Sequence, residues 1–142
     1  MPREADWCRK LYPWGDELTP HGQHLCNVWQ GRFPQVDTAE DGFAGPCPVR
    51  AFPPNGYGLF SMTGNVWEWC SDWFGREFES KPMQHDPIGP GIEQSNGGKV
   101  MKGGSFLCHA SYCNRYRVAA RTSNTTDSSA SNIGFRCVRN LR

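Results

Sequence analysis

Met62-Thr63-Gly64-Asn65-Val66-Trp67-Glu68-Trp69-Cys70-Ser71-Asp72-Trp73 is the stretch on which the fold turns. Trp67, Trp69 and Trp73, with Val66, make an apolar set that suits a buried short strand or a helical turn. Glu68 stands between two tryptophans. A carboxylate buried there is costly unless it is paired or bound to a metal. In a strand, successive side chains face opposite ways, and Glu68 then points away from both tryptophans into solvent. Spacing alone admits either outcome.

Upstream of this stretch, residues 49–52 predict a short strand before Pro53-Pro54, and Asn55-Gly56 marks a tight turn. Leu11-Tyr12-Pro13-Trp14-Gly15 reads as an aromatic surface turn, and Glu40-Asp41-Gly42-Phe43 as another turn. Downstream, residues 74–98 carry charge, proline and glycine and predict a long surface excursion. Residues 99–106 predict a strand, 116–121 a strand or extended chain, 122–131 a polar loop, and the alternating 133–138 a closing strand.

The chain has 142 residues, enough for one domain with a real core, and 1–142 is read as a single domain. Its 16 Gly and 11 Pro demand turns and irregular backbone, while 6 Trp, 8 Phe and 4 Tyr supply large buried areas. A loop-rich fold pinned by aromatics follows. The net charge of +1, with acids and bases interspersed, argues against nucleic acid as the main partner. No apolar run is long enough to span a bilayer, and Met1-Pro2-Arg3-Glu4-Ala5-Asp6-Trp7 lacks the apolar core of a signal peptide. Asn124-Thr125-Thr126 is an acceptor triplet for N-glycosylation.

Seven cysteines, an odd number, cannot all pair within the chain. Two of them lie in Gly103-Gly104-Ser105-Phe106-Leu107-Cys108-His109-Ala110-Ser111-Tyr112-Cys113-Asn114-Arg115-Tyr116-Arg117, the segment most crowded with reactive groups. Cys-x4-Cys puts the thiols on neither one helical face nor one strand face, so they converge only in a turn or loop. There a disulfide and a metal site are both open. His21 and His24 lie three apart and would share a helical face, but without further ligands nearby they make a weak zinc set. Asn27 and Asp41 are oxygen donors in loop sequence, suited either to capping turns or, with backbone carbonyls, to calcium.

Several of these stretches together resemble one family. Gly58-Leu59-Phe60 with Gly64-Asn65-Val66-Trp67-Glu68-Trp69, then Gly103-Gly104-Ser105 and Asn132-Ile133-Gly134-Phe135-Arg136-Cys137, are similar to signatures of the sulfatase-modifying-factor superfamily. Cys108 to Arg117 resembles the active segment of its formylglycine-generating enzymes. The resemblance implies an α+β, loop-rich fold of the C-type-lectin-like, sulfatase-modifying-factor kind with little regular secondary structure. It implies dioxygen-dependent oxidation of the cysteine in sulfatase Cys-x-Pro-x-Arg segments to Cα-formylglycine, in the endoplasmic reticulum lumen. By carry-over, Cys108 and Cys113 would bind copper(I), for which soft thiolates are selective. Ser105, His109 and Tyr112 would line that site as catalytic residues, with Trp67, Asn132 and Arg115 binding substrate. Asn27, Val28, Asp41 and Phe43 match one family calcium site. Ser61, Gly64, Val66 and Glu68 match a second, where Ser61 departs from the usual Asn.

The resemblance also implies partners: unfolded sulfatase segments and a full-length paralog. Family members are longer, so the domain is expected to be incomplete at its N-terminus, lacking a partner for Cys137. Val118 stands where vertebrate-type relatives carry the cysteine that pairs with the equivalent of Cys8. A truncated chain that binds sulfatase segments or the full-length enzyme without turnover is the competing expectation. A calcium-dependent recognition domain with a structural cysteine pair is the third.

Overall fold

A computed structural model describes residues 10–75 and 89–139. Most of this chain is turn and irregular backbone, held by six short strands. β1 (Gly31–Arg32) and β2 (Val36–Asp37) form a small hairpin with Phe33 and Pro34 at its tip. The main sheet has β3 (Trp67–Trp73), β4 (Lys99–Lys102), β5 (Thr122–Asn124) and β6 (Ile133–Gly134) in the order β5-β4-β3-β6. β3 runs antiparallel to β4 and parallel to β6. Single 3₁₀ turns at Pro20–Gly22 and Ile92–Gln94 are the helical elements among the described residues.

The tryptophan stretch is therefore a strand. Its Gly64-Asn65 start is the junction of the fold. Both residues have left-handed backbone, with φ 72° at Gly64 and 63° at Asn65. The Gly64 amide donates to the Gly103 carbonyl, the Asn65 amide to the Asn27 carbonyl, and the Asn65 carbonyl accepts from Phe106. The Asn65 side-chain oxygen also accepts from the Cys47 amide at 2.9 Å. A Cβ on Gly64 would sit 2.2 Å from the Asn27 carbonyl oxygen, so glycine is required there.

Several expected elements change. Residues 49–52 are a turn, with Ala51 donating to the Pro48 carbonyl. Pro46, Pro48 and Pro53 leave too few donors for a ladder. β4 stops at Lys102 because Gly103 and Gly104 turn with φ of 91° and 74°. Residues 116–121, expected as strand or extended chain, make a turn in which Ala120 donates to the Arg117 carbonyl, and β5 comes instead from the polar residues that follow, on the sheet edge. The closing strand shrinks to two residues, and Phe135 is exposed. Glu68 does not face solvent. Its side chain is only 17% exposed and pairs with Arg136. The expected turns at residues 11–15 and 55–58 are present. Most of the predicted surface excursion, residues 76–88, and Cys8 lie outside the described residues.

Tyr12, Cys26, Val28, Trp67, Met101, Cys108 and Tyr116 form the core cluster, with Trp14, Leu18, Trp69, Cys113 and Ile133 against it. Cys108 thus belongs to the core itself.

Candidate active site

The thiol segment leaves β4 through Gly103-Gly104. A Cβ on Gly104 would meet that of Tyr116 at 2.7 Å, so glycine lets the segment lie flat on the buried Tyr116. The next turn is local: Cys108 donates to the Ser105 carbonyl at 2.9 Å. The His109 carbonyl then accepts three amides, from Tyr112, Cys113 and Asn114. This wrapping brings Cys113 back over Cys108 and explains how a four-residue gap closes without a helix. The Cys108 carbonyl is fixed in turn by the Trp29 amide at 3.0 Å.

Cys108 and Cys113 are both free cysteines, and each is the strongest influence on the other's ionisation. Donation from Cys108 lowers the Cys113 pKa to about 6, helped by backbone N–H groups and by Arg115. The same bond, together with burial, pushes Cys108 up.

Ser105 is fully buried. Its oxygen accepts from Asn132 Nδ2 at 3.1 Å and from the Leu107 amide at 3.3 Å, which uses both lone pairs. Its own proton is left for Cys108 Sγ, 3.8 Å away. Asn132 is placed for this by its carbonyl, which accepts from the Trp67 amide where β3 and β6 meet.

Ser105, Cys108, Tyr112, Cys113, Trp67, Arg115 and Asn132 all line one open cleft. Trp29, Phe33 and Pro34 also form its wall and were not singled out from the sequence. Their only signal was an aromatic and a proline at a hairpin tip. Phe33 stacks on Tyr112 with ring centres 4.8 Å apart. His109 stands behind this wall, stacked on Phe33 at 6.2 Å. Its Nδ1 takes the Ser111 amide and faces the Ser111 hydroxyl, so Nδ1 is the acceptor and the proton is on Nε2.

The first oxygen set closes around Asp41. Its carboxylate accepts from the amides of Val28 (3.2 Å) and Phe43 (2.9 Å) and from Gln30 Nε2 (2.9 Å). Gln30 Nε2 also donates to the Val28 carbonyl. Asn27 is almost fully buried, and its side-chain oxygen has no hydrogen-bond partner while its Nδ2 donates to Gly45. An orphaned buried oxygen on the residue that precedes Val28, whose amide the Asp41 carboxylate holds, fits an oxygen-seeking cation such as calcium.

The second set does not fit one as arranged. Both carboxylate oxygens of Glu68 are taken by Arg136, whose Nη2 also donates to the carbonyls of Phe60 and Ser61. The Ser61 hydroxyl donates to the Val49 carbonyl instead. His21 and His24 do not converge: His21 is exposed, and His24 faces Glu40 at 4.0 Å. Among the described residues, no three His, Cys, Asp or Glu side chains converge on a metal position.

The chain matches the sulfatase-modifying factor enzyme 1-like domain over residues 1–141, and it belongs to that family. It is 56% identical to the formylglycine-generating enzyme of Thermomonospora curvata, over 96% of this chain and 48% of that protein. It is 55% identical to the Mus musculus enzyme of the same name, over 96% of this chain and 38% of that protein. The chain therefore spans about half the length, or less, of the curated relatives it matches. Identity falls to 38% for the mouse protein called inactive C-alpha-formylglycine-generating enzyme 2, over 96% of this chain and 42% of that protein. Among solved structures, Treponema denticola variable protein 1 shares the fold at TM-score 0.56 and 31% identity, covering 66% of this chain and 32% of that one. The loop-rich α+β architecture is that of the family. No helix among the described residues is long and apolar enough to cross a membrane.

Proposed function

We propose that this chain carries the thiol centre of a formylglycine-generating oxidase, acting on the cysteine of sulfatase Cys-x-Pro-x-Arg segments. The observation that carries the reading is that Cys108 and Cys113, both free, line one aromatic cleft beside a buried Ser105. Two adjacent sulfurs of this kind suit copper(I), and they are the residues that would hold it. When bound, that metal would supply one-electron chemistry toward dioxygen. The chain's own groups do the rest. The Ser105 hydroxyl favours ionisation of Cys108, and Asn132 holds Ser105 in place. Trp29, Phe33, Trp67 and Tyr112 give an extended segment an apolar bed that excludes water. Arg115 presents a positive charge at the rim. Converting CH₂–SH to an aldehyde removes two electrons and releases sulfide, whereas dioxygen takes four. Two external thiols must therefore supply the other two electrons, leaving as a disulfide with one water.

Calcium at the Asn27, Val28, Asp41 and Phe43 set would brace the loop that carries Val28 next to Trp29. The endoplasmic reticulum lumen and sulfatase substrates belong to the same reading. The test is aldehyde capture on a Cys-x-Pro-x-Arg peptide by the copper-loaded chain. Product is expected with the wild type and a loss of at least about a hundredfold with Cys108→Ser, on the scale of removing a group needed in the reaction step. Unchanged turnover in that variant would sink the reading. A second reading, a binding module without turnover, is favoured by the 38% identity to the mouse protein called inactive C-alpha-formylglycine-generating enzyme 2. Peptide binding with no aldehyde product would select it.

A further inference from the structure

We infer that Gln30 is the placeholder of the first cation site: its amide group holds the calcium oxygens together when no ion is present and must withdraw when one binds. This rests on the calcium reading above. Gln30 Oε1 accepts the Asp41 backbone N–H at 3.0 Å, which only an oxygen can do. The NH₂ end is thereby forced toward the Val28 carbonyl and Asp41 Oδ2, and it donates to both. Those two oxygens are the ones a cation would draw together. Without a positive neighbour, a carbonyl and a carboxylate oxygen repel. Two N–H donors on one nitrogen relieve that repulsion at no net charge. The unpartnered, buried Asn27 oxygen shows that the amide does not satisfy the whole set. Gln30 covers only part of what a six- to eight-coordinate ion would cover.

The inference separates two roles by the sign of one effect. A placeholder stabilises the ion-free state, so losing it strengthens calcium binding. A ligand stabilises the bound state, so losing it weakens binding. Calcium titration of the full chain, read by thermal unfolding and by heat, distinguishes them. Gln30→Met keeps volume and removes the donors. It is expected to lower the ion-free midpoint more than the calcium-saturated one, and to tighten apparent calcium affinity about three- to tenfold, the worth of roughly one displaced hydrogen bond. Gln30→Glu, which puts a carboxylate in place of the donors, should tighten it further. Affinity unchanged or weakened in both variants overturns the placeholder role. A wild-type chain that shows no calcium response by either readout overturns the calcium reading itself and this inference with it. If Gln30→Met folds only in calcium, the placeholder role is supported, because the ion then replaces what the amide supplied.

Discussion

Two oxygen-rich loops of this molecule match calcium sites in the same resemblance, yet they are closed differently. Around Asp41 the closing group is neutral, the Gln30 amide, and a buried Asn27 oxygen is left over. Around Glu68 the closing group is the Arg136 guanidinium, bidentate on the carboxylate and extended to two carbonyls. A neutral amide can leave without stranding a charge. A guanidinium cannot, because its departure leaves two half-buried charges unpaired. A motif that matches a metal site thus says which oxygens are offered. The closing group decides whether they are free.

Breaking the charged closure should give the largest effect. Arg136→Met strands Glu68 between β3 and the loop at Ser61. It should cost about 2–4 kcal/mol by urea unfolding, somewhat below a fully buried pair because both side chains keep some exposure. The double variant with Glu68→Gln should recover part of the loss, and no recovery would mean the pair is not the cause. Next comes Asp41→Asn, which weakens two charge-assisted backbone bonds and removes the only carboxylate of the first set. It should cost about 1–3 kcal/mol and abolish any calcium-induced rise in Tm. A calcium response that survives would place the ion elsewhere.

The thiol pair offers a third, smaller contrast, since each cysteine is the strongest influence on the other's ionisation. Thiolate absorbance of the metal-free chain should titrate with a midpoint near pH 6 for Cys113. In Cys108→Ala that midpoint should rise toward the ordinary thiol value of 9.0, because the largest cause of the lowering is gone. A thiol ionised in the folded chain but protonated when unfolded contributes fully above about pH 9, and the contribution is lost as pH falls through about 6. A Cys113 midpoint that ignores Cys108 would break this picture. Smallest of all is Ser61→Asn, which restores the family residue. With Arg136 still in place it should change stability by no more than about 0.5 kcal/mol and create no second calcium response. A second response would show that the guanidinium yields to an ion.

Much of the fold was legible where chemistry is local. Tyr12-Pro13-Trp14-Gly15 and Asn55-Gly56 turn as their residue types demand. The strand expected over residues 99–106 instead ends at Lys102, because Gly103-Gly104 take a backbone that only glycine adopts cheaply. Strands were less legible. Residues 49–52 look like a strand but sit among prolines, while polar Thr122–Asn124 become one because β4 offers an edge to pair with. At the candidate site, Ser105, Cys108, Tyr112, Cys113, Trp67, Arg115 and Asn132 share the cleft, and His109 stands behind Phe33. Trp29, Phe33 and Pro34 could not be read as cleft wall, since a two-residue hairpin has no periodicity to announce it.

The amino-acid sequence by itself determined that Cys108 and Cys113 can converge only in a turn or loop, and which oxygens are offered near Asn27 and Glu68. These follow from backbone freedom, short spacings and donor types, which act over a few residues. Only the tertiary structure decided how the oxygen sets are closed. Arg136 reaches Glu68 across 68 residues through the parallel pairing of β3 and β6, and Gln30 meets Asp41 across a loop of eleven. Such contacts depend on where the whole chain folds back, and no local pattern encodes the partner.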